Sequence, residues 1–175
     1  MNLEKLLTEN KAKILKKWFN LIVESYPKES RGFFKREKDR FANPVGQTLL
    51  AEIESLFDEL LKGSGDEKLT LHLDEIIKIR AVQDFMPSKA LCFVLQLKDV
   101  LRGLLHEVKN ANGLNTELAA FEKRIDDTAL LAFDIYSKRV RKLYELRVNE
   151  INRQVSRLLV RANLVCEIPD EEREL

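Results

Sequence analysis

The sequence predicts an all-α protein, a helical bundle with a long C-terminal helix. Only 6 Gly and 4 Pro occur in 175 residues, and they separate long stretches rich in Leu, Lys, Glu and Ala, which are good helix formers. Apolar residues within those stretches recur at steps of three and four, the spacing of one helix face. From Asn115 to Pro169 neither Gly nor Pro intervenes, so a single helix can run through the interval. With 45% apolar and 34% charged residues, the chain has enough apolar surface to fold, and its length suits one domain with a real core.

In chain order, residues 2–26 place Leu3, Leu7, Ile14, Trp18, Leu21 and Ile22 on one stripe, which Pro27 ends. Residues 28–45 hold Gly32, the pair Phe33 and Phe34, a charged run from Lys35 to Arg40, and Asn43-Pro44. That composition predicts a short helix or turn anchored to the core by the paired rings. A second long helix is expected over 46–62, with Leu49, Leu50, Ile53, Leu56, Phe57, Leu60 and Leu61 apolar; Gly63 suits the left-handed position after it. A third covers 69–85 through Leu73, Ile76, Ile77 and Ala81, with Pro87 forcing a break and Ser88 suited to cap the next helix. The fourth, 88–110, is the most apolar and is expected at the centre of the core: Leu91, Val94, Leu95, Leu97, Leu101, Leu104, Leu105 and Val108.

After a turn at Asn112-Gly113-Leu114-Asn115, the last helix starts with a wide buried face of Ile125, Ala129, Ala132, Phe133 and Tyr136. It then changes to Tyr144, Val148, Ile151, Val155, Leu158, Ala162 and Val165, which alternate steps of four and three as a coiled-coil seam does. The domain reading is therefore a bundle over 1–143, a coiled-coil-like extension over 144–166 and an acidic tail over 167–175. The seam predicts a homodimer or a partner helix; folding back onto the bundle is the alternative.

Charge excludes little globally, since the net charge is +1, and no overall field draws in nucleic acid or an anionic surface. Locally, residues 138–161 carry Lys138, Arg139, Arg141, Lys142, Arg147, Arg153, Arg157 and Arg161 against Glu145 and Glu150. A helical nucleic-acid-associated protein is the rival reading of that stretch. Against it, Tyr144 is the only stacking aromatic there, and the acidic end at Glu167, Asp170, Glu171, Glu172 and Glu174 offsets the charge. Cys92 and Cys166 read as free thiols of a reducing compartment. No apolar run approaches the ~18 residues needed to span a bilayer, and no secretory leader opens the chain; a cytoplasmic protein without membrane association is expected.

Catalytic chemistry finds no foothold in the sequence. His72 and His106 belong to no Glu-x-x-His or His-x-x-x-His spacing, so a metal site in the bundle lacks ligands. His106 shares a polar face with Asp99, Arg102 and Lys109, which argues against a haem ligand. Lys62-Gly63-Ser64-Gly65 lacks the order of a phosphate cradle. The acidic neighbours Asp74-Glu75 and Asp126-Asp127 point in different directions on a helix, which is wrong for paired acid and base work. The expectation is a protein that is not an enzyme and has neither cofactor nor metal.

Three clusters are poorly explained by packing alone. They are Asp39-Arg40-Phe41-Ala42-Asn43-Pro44-Val45-Gly46, then Ile79-Arg80-Ala81-Val82-Gln83-Asp84-Phe85 with Pro87-Ser88, and Ala132-Phe133-Asp134-Ile135-Tyr136. Together they resemble the RsbRD N-terminal domain family over roughly residues 10–150. The resemblance implies the sensory half of an RsbT co-antagonist in bacterial stress signalling, a helical input domain that precedes a STAS output domain or occurs alone. The chain ends at Leu175, so a stand-alone domain is expected. By analogy with RsbR-type sensors, the resemblance further implies a dimeric, globin-like fold without haem and a protein partner in a signalling pathway. Arg40, Asn43, Arg80, Gln83, Asp84, Asp134 and Tyr136 are the candidate ligand or motif residues. Arg80, Gln83 and Asp84 are expected near one side of their helix, either bonding the 39–44 loop or Asp134, or lining a small-ligand pocket. Tyr144, Val148, Ile151, Val155, Leu158 and Ala162 are the candidate dimer or partner seam.

Overall fold

A computed structural model of the chain describes residues 2–37, 39, 41–83, 85–108 and 113–162. Among them are α1 (Leu3–Glu9), α2 (Lys11–Glu24), α3 (Lys28–Arg36), α4 (Pro44–Lys62), α5 (Asp66–Val82), α6 (Pro87–Glu107) and α7 (Asn115–Arg161), and the described residues hold no strand. The all-α bundle with a long last helix is thus what the chain forms. It divides into two compact units, Met1–Arg139 and Val140–Leu175.

In the first unit, α2 packs against α1, α3, α4 and α6, while α5 packs against α4 and α6. The reason lies in the α2 stripe. Ile14, Trp18 and Ile22 are fully buried, and the Trp18 indole N–H donates to the Phe93 carbonyl of α6 at 2.7 Å while its ring stacks on Phe93. The polar edge of the indole is thereby satisfied inside an apolar contact, and truncating such a ring typically costs about 3–5 kcal/mol.

Several local expectations are corrected. The helix expected over 2–26 is two helices. They meet at Asn10, whose backbone leaves helical geometry at φ −104 and ψ 11 and whose side-chain amide donates to the Leu6 carbonyl. Asn competes for backbone groups in this way, and the buried stripe continues across the break through Leu3, Leu6, Leu7 and Ile14, so periodicity alone does not reveal it. α3 buries no residue. Phe33 is exposed, and only Phe34 anchors, with its ring edge-on to Tyr26 at 4.9 Å. The cap of α6 is Met86 with Pro87 in the first turn, not Ser88; Pro favours that place because its missing N–H would be unpaired there anyway. Leu95 is exposed, so the buried arc of α6 is narrower than expected. Gly63 does adopt the left-handed conformation that ends α4, at φ 65.

α7 joins the first unit through Phe121, Ile125, Thr128, Ala132, Ile135 and Tyr136, all buried. Phe133, expected on that face, is 53% exposed, because one residue beyond Ala132 turns about 100° away from the stripe; Ala129 is only half-buried. Polar ties reinforce the contact. Glu117 accepts from the Leu3 amide of α1 at 2.8 Å, Arg102 of α6 donates twice to Glu122, and Arg139 donates to Asp74 of α5. No described helix is long and apolar enough to cross a membrane.

Lys13 and Lys17 of α2 both hold Glu107 of α6, and their hydrogen bonds lower its carboxyl from the usual 4.5 to about 2. A folded-state value below the unfolded one gives stability that is present above 4.5 and lost as pH falls toward 2. Glu107→Gln should therefore lower the melting temperature slightly at neutral pH and flatten its acid limb, so that the two proteins converge near pH 2. Thermal denaturation followed by circular dichroism across that range checks this; parallel curves would contradict it.

Candidate functional site

The buried stripe of α5 runs Leu69, Leu73, Ile76, Ile77, Arg80 and Ala81. An arginine four residues after Ile76 falls on the inward face with the rest, and Arg80 is wholly buried. Three rings surround its guanidinium carbon: Phe85 at 4.7 Å, Tyr26 at 5.5 Å and Phe93 at 5.7 Å from their centroids. Nη2 donates to the Ser25 hydroxyl at 2.6 Å and to the Lys89 carbonyl at 3.0 Å. Nε and Nη1 meet no acceptor, and the Tyr26 hydroxyl in the same cage meets no partner either. Burial pushes the Arg80 pKa down and the Tyr26 pKa up, each shift opposed by the other group. A guanidinium still keeps its proton under these conditions.

Two corners hold the cage. At the end of α2, Ser25 donates onward to the Ile22 carbonyl, and Arg31 clamps the Tyr26 and Glu24 carbonyls at 2.8 and 2.7 Å. Between α5 and α6, the Phe85 amide bonds the Arg80 carbonyl, and the Tyr136 hydroxyl of α7 donates to the Phe85 carbonyl at 2.6 Å. Outside the cage lies a cleft of about 610 Å³ whose walls include Ser25, Tyr26, Phe34, Gln83, Phe85 and Lys89. The four residues that bond or stack on Arg80 from this side are thus also cleft wall. A second cleft, of about 640 Å³, involves α1 to α4 and is lined in part by Lys11. The Lys11 ammonium there is already neutralised by Glu54 and Asp58 at 3.0 and 2.8 Å.

The structure brings together some of the expected site residues and not others. Arg80 is the centre of the cage, Gln83 is exposed on the cleft wall, and Tyr136 stands one hydrogen bond from Phe85. Asn43 is buried elsewhere, as the cap of α4. Its oxygen accepts from the Gly46 amide at 2.9 Å, and its amide donates to the Glu37 and Phe34 carbonyls at 3.1 and 3.3 Å, tying the end of α3 to the start of α4. Gly46 fits under it because a Cβ there would come within 2.4 Å of that amide. Asp134 is exposed on α7. The expected bonds from Arg80 to Asp134 or the 39–44 loop are replaced by those to Ser25 and Lys89, because the stripe of α5 carries the guanidinium toward the end of α2 and the start of α6. Arg40 and Asp84 lie outside the described residues. The sequence reading missed Tyr26, Phe93 and Ser25; the one available signal was a charged residue in register with a buried stripe.

In the second unit, Tyr144, Val148, Ile151, Val155 and Leu158 are between 46% and 63% exposed, and Ala162 is exposed as well. Polar contacts there are local: Arg147 lies over the Tyr144 ring, Lys142 pairs with Glu145, and Gln154 donates to Glu150. Within the described residues of this unit, the apolar seam is exposed.

Tyr26→Phe removes a buried hydroxyl that has no partner, and should raise stability by about 1 kcal/mol, roughly 3 °C in melting temperature. Asn43→Ala should lower stability by about 1–2 kcal/mol through the lost cap and its two donor bonds. Chemical denaturation of both variants checks the pair, and a destabilised Tyr26→Phe would show that the hydroxyl is satisfied after all.

No curated protein and no solved structure matches the chain. The family profile described as the RsbT co-antagonist protein RsbRD N-terminal domain matches residues 12–151, a span that takes in the Arg80 cage, the Asn43 cap and Tyr136, and the chain belongs to that family.

Proposed function

We propose that this chain is a non-catalytic regulatory module of bacterial stress signalling, in which the bundle receives an input at the Arg80 cage and the seam from Tyr144 to Ala162 takes a partner helix, in the first instance a second copy of the chain. The observation that carries this is the bond from Tyr136 to the Phe85 carbonyl. It puts α7, which runs unbroken from Asn115 to Arg161, one hydrogen bond from a ring of the cage. A ligand that binds one arrangement of that ring better than another shifts the population of both. The family description supports the regulatory part, since a co-antagonist acts on another protein. A cytoplasmic location accords with this reading.

The exposed apolar side chains at steps of four and three support self-association, because packing them against a like helix removes them from water. Sedimentation should show a dimer at roughly tens of micromolar, and Ile151→Asp, which sets a charge in the seam, should weaken it by about ten-fold or more. A monomeric native protein that behaves identically after the substitution would contradict this part.

The exposed cations Arg141, Arg153, Arg157 and Arg161 favour one alternative, nucleic-acid association along the same helix. Salt-sensitive gel retardation lost on Arg153→Glu with Arg157→Glu would support that alternative, and no retardation at low salt removes it.

A further inference from the structure

Arg80 lacks what buried arginines ordinarily have. A buried charge is tolerable when paired and fully hydrogen-bonded, yet this guanidinium is wholly buried with Nε and Nη1 unmet. Its two bonds both come from Nη2 and both go to neutral oxygens. The rings of Tyr26, Phe85 and Phe93 supply cation–π attraction, which offsets part of the desolvation but fills no hydrogen-bonding position. A second orphan, the Tyr26 hydroxyl, is a donor in the same cage. Two adjacent groups with donors and no acceptor describe a place that wants an anion.

The cleft beside the cage has the complementary shape and chemistry. Its volume of about 610 Å³ lies within the ordinary range of small-molecule sites, roughly 300–1,000 Å³. Phe34, Phe85 and Met86 give it apolar walls, and none of its described lining residues is acidic. Phe85, the ring nearest the guanidinium, is half-buried and lines the cleft, so a turn of that ring is the route the geometry offers, a rotamer change rather than a rearrangement of helices.

We propose that the cleft beside Arg80 binds a small monocarboxylate with an apolar body, its carboxylate accepting from Arg80 and the Tyr26 hydroxyl and its body lying against Phe34 and Phe85. One negative charge matches Arg80, the one buried cation among the described residues, whereas a phosphate dianion would bring a second charge that only the exposed Lys89 of the cleft wall could meet. This assignment rests on the sensory reading above and gives its input a chemical class. Because the displaced Phe85 shares its residue with the carbonyl held by Tyr136, occupancy alters the grip of the cage on α7.

Trp18 is the only tryptophan and stacks on Phe93, itself a wall of the cage, so its emission reports on occupancy. The test titrates the intact chain with hexanoate and cyclohexanecarboxylate, with cyclohexylmethanol as neutral control and inorganic phosphate at matched ionic strength. A saturable change in Trp18 emission and a raised melting temperature are expected with at least one carboxylate and with neither control. Arg80→Met should weaken binding by about ten-fold or more, and Tyr26→Phe by several-fold. Tyr26→Phe also covers the case in which Arg80→Met fails to fold, since it is expected to fold more stably than the native chain. No response to either carboxylate up to about 10 mM, equal binding by phosphate, or undiminished binding by Tyr26→Phe would each overturn the assignment. The dimer measurement with Ile151→Asp is independent of these titrations, so loss of the ligand class and loss of the module reading are told apart.

Discussion

Arg80 enters the bundle because it occupies a position on the stripe of α5 that its neighbours Leu73, Ile76 and Ile77 commit to the core. A lone charge placed there is unfavourable by several kcal/mol even after relaxation. Three aromatic faces and two hydrogen bonds reduce that cost, and the adjoining packing of Trp18 on Phe93, both fully buried, sustains what is left. The elements that meet at this point are the end of α2, the end of α5 and the start of α6, so the position of one guanidinium sets how three helices come together.

The cage meets α7 at the Tyr136 hydroxyl. Tyr136 is buried and donates to the carbonyl of Phe85, and the same helix is fastened to α1, α4, α5 and α6 by Glu117, Arg124, Arg139 and Glu122. Most of these ties are ion pairs or charge-assisted bonds near the surface, individually worth little in water. They fix the register of α7 more than they stabilise it, and such contacts can be exchanged for alternatives at small cost. A helix held by a narrow apolar stripe and replaceable polar ties suits a module that must respond.

Much of this was legible in the sequence, for reasons that differ by feature. The long helices follow from apolar spacing and from the placing of Gly and Pro, and the end of α4 at Gly63 and the run of α7 from Asn115 agree with the structure. Boundaries set by side-chain capping were less legible: the break at Asn10 leaves the apolar period intact, and the cap at Met86 depends on Pro87 taking the first turn. Phe33 and Phe133 are exposed although they are aromatic, because composition does not state which way a residue faces. Arg80 was singled out by its motif, but its surroundings come from Ser25, Tyr26 and Phe93, which are 55, 54 and 13 residues away in sequence. Packing across such distances is set by the tertiary fold, and no local pattern announces it.

The Arg80 guanidinium is buried among aromatic rings with donors unmet, and its own side-chain resonance reports on this most directly. In a nitrogen-edited NMR spectrum of the native chain, the Arg80 Nε–H, assigned by its loss in Arg80→Met or Arg80→Lys, should be displaced by the ring currents of Phe85, Tyr26 and Phe93 and should exchange slowly with water. An Arg80 signal at the ordinary position that exchanges as fast as those of exposed arginines such as Arg153 and Arg157 would contradict the account.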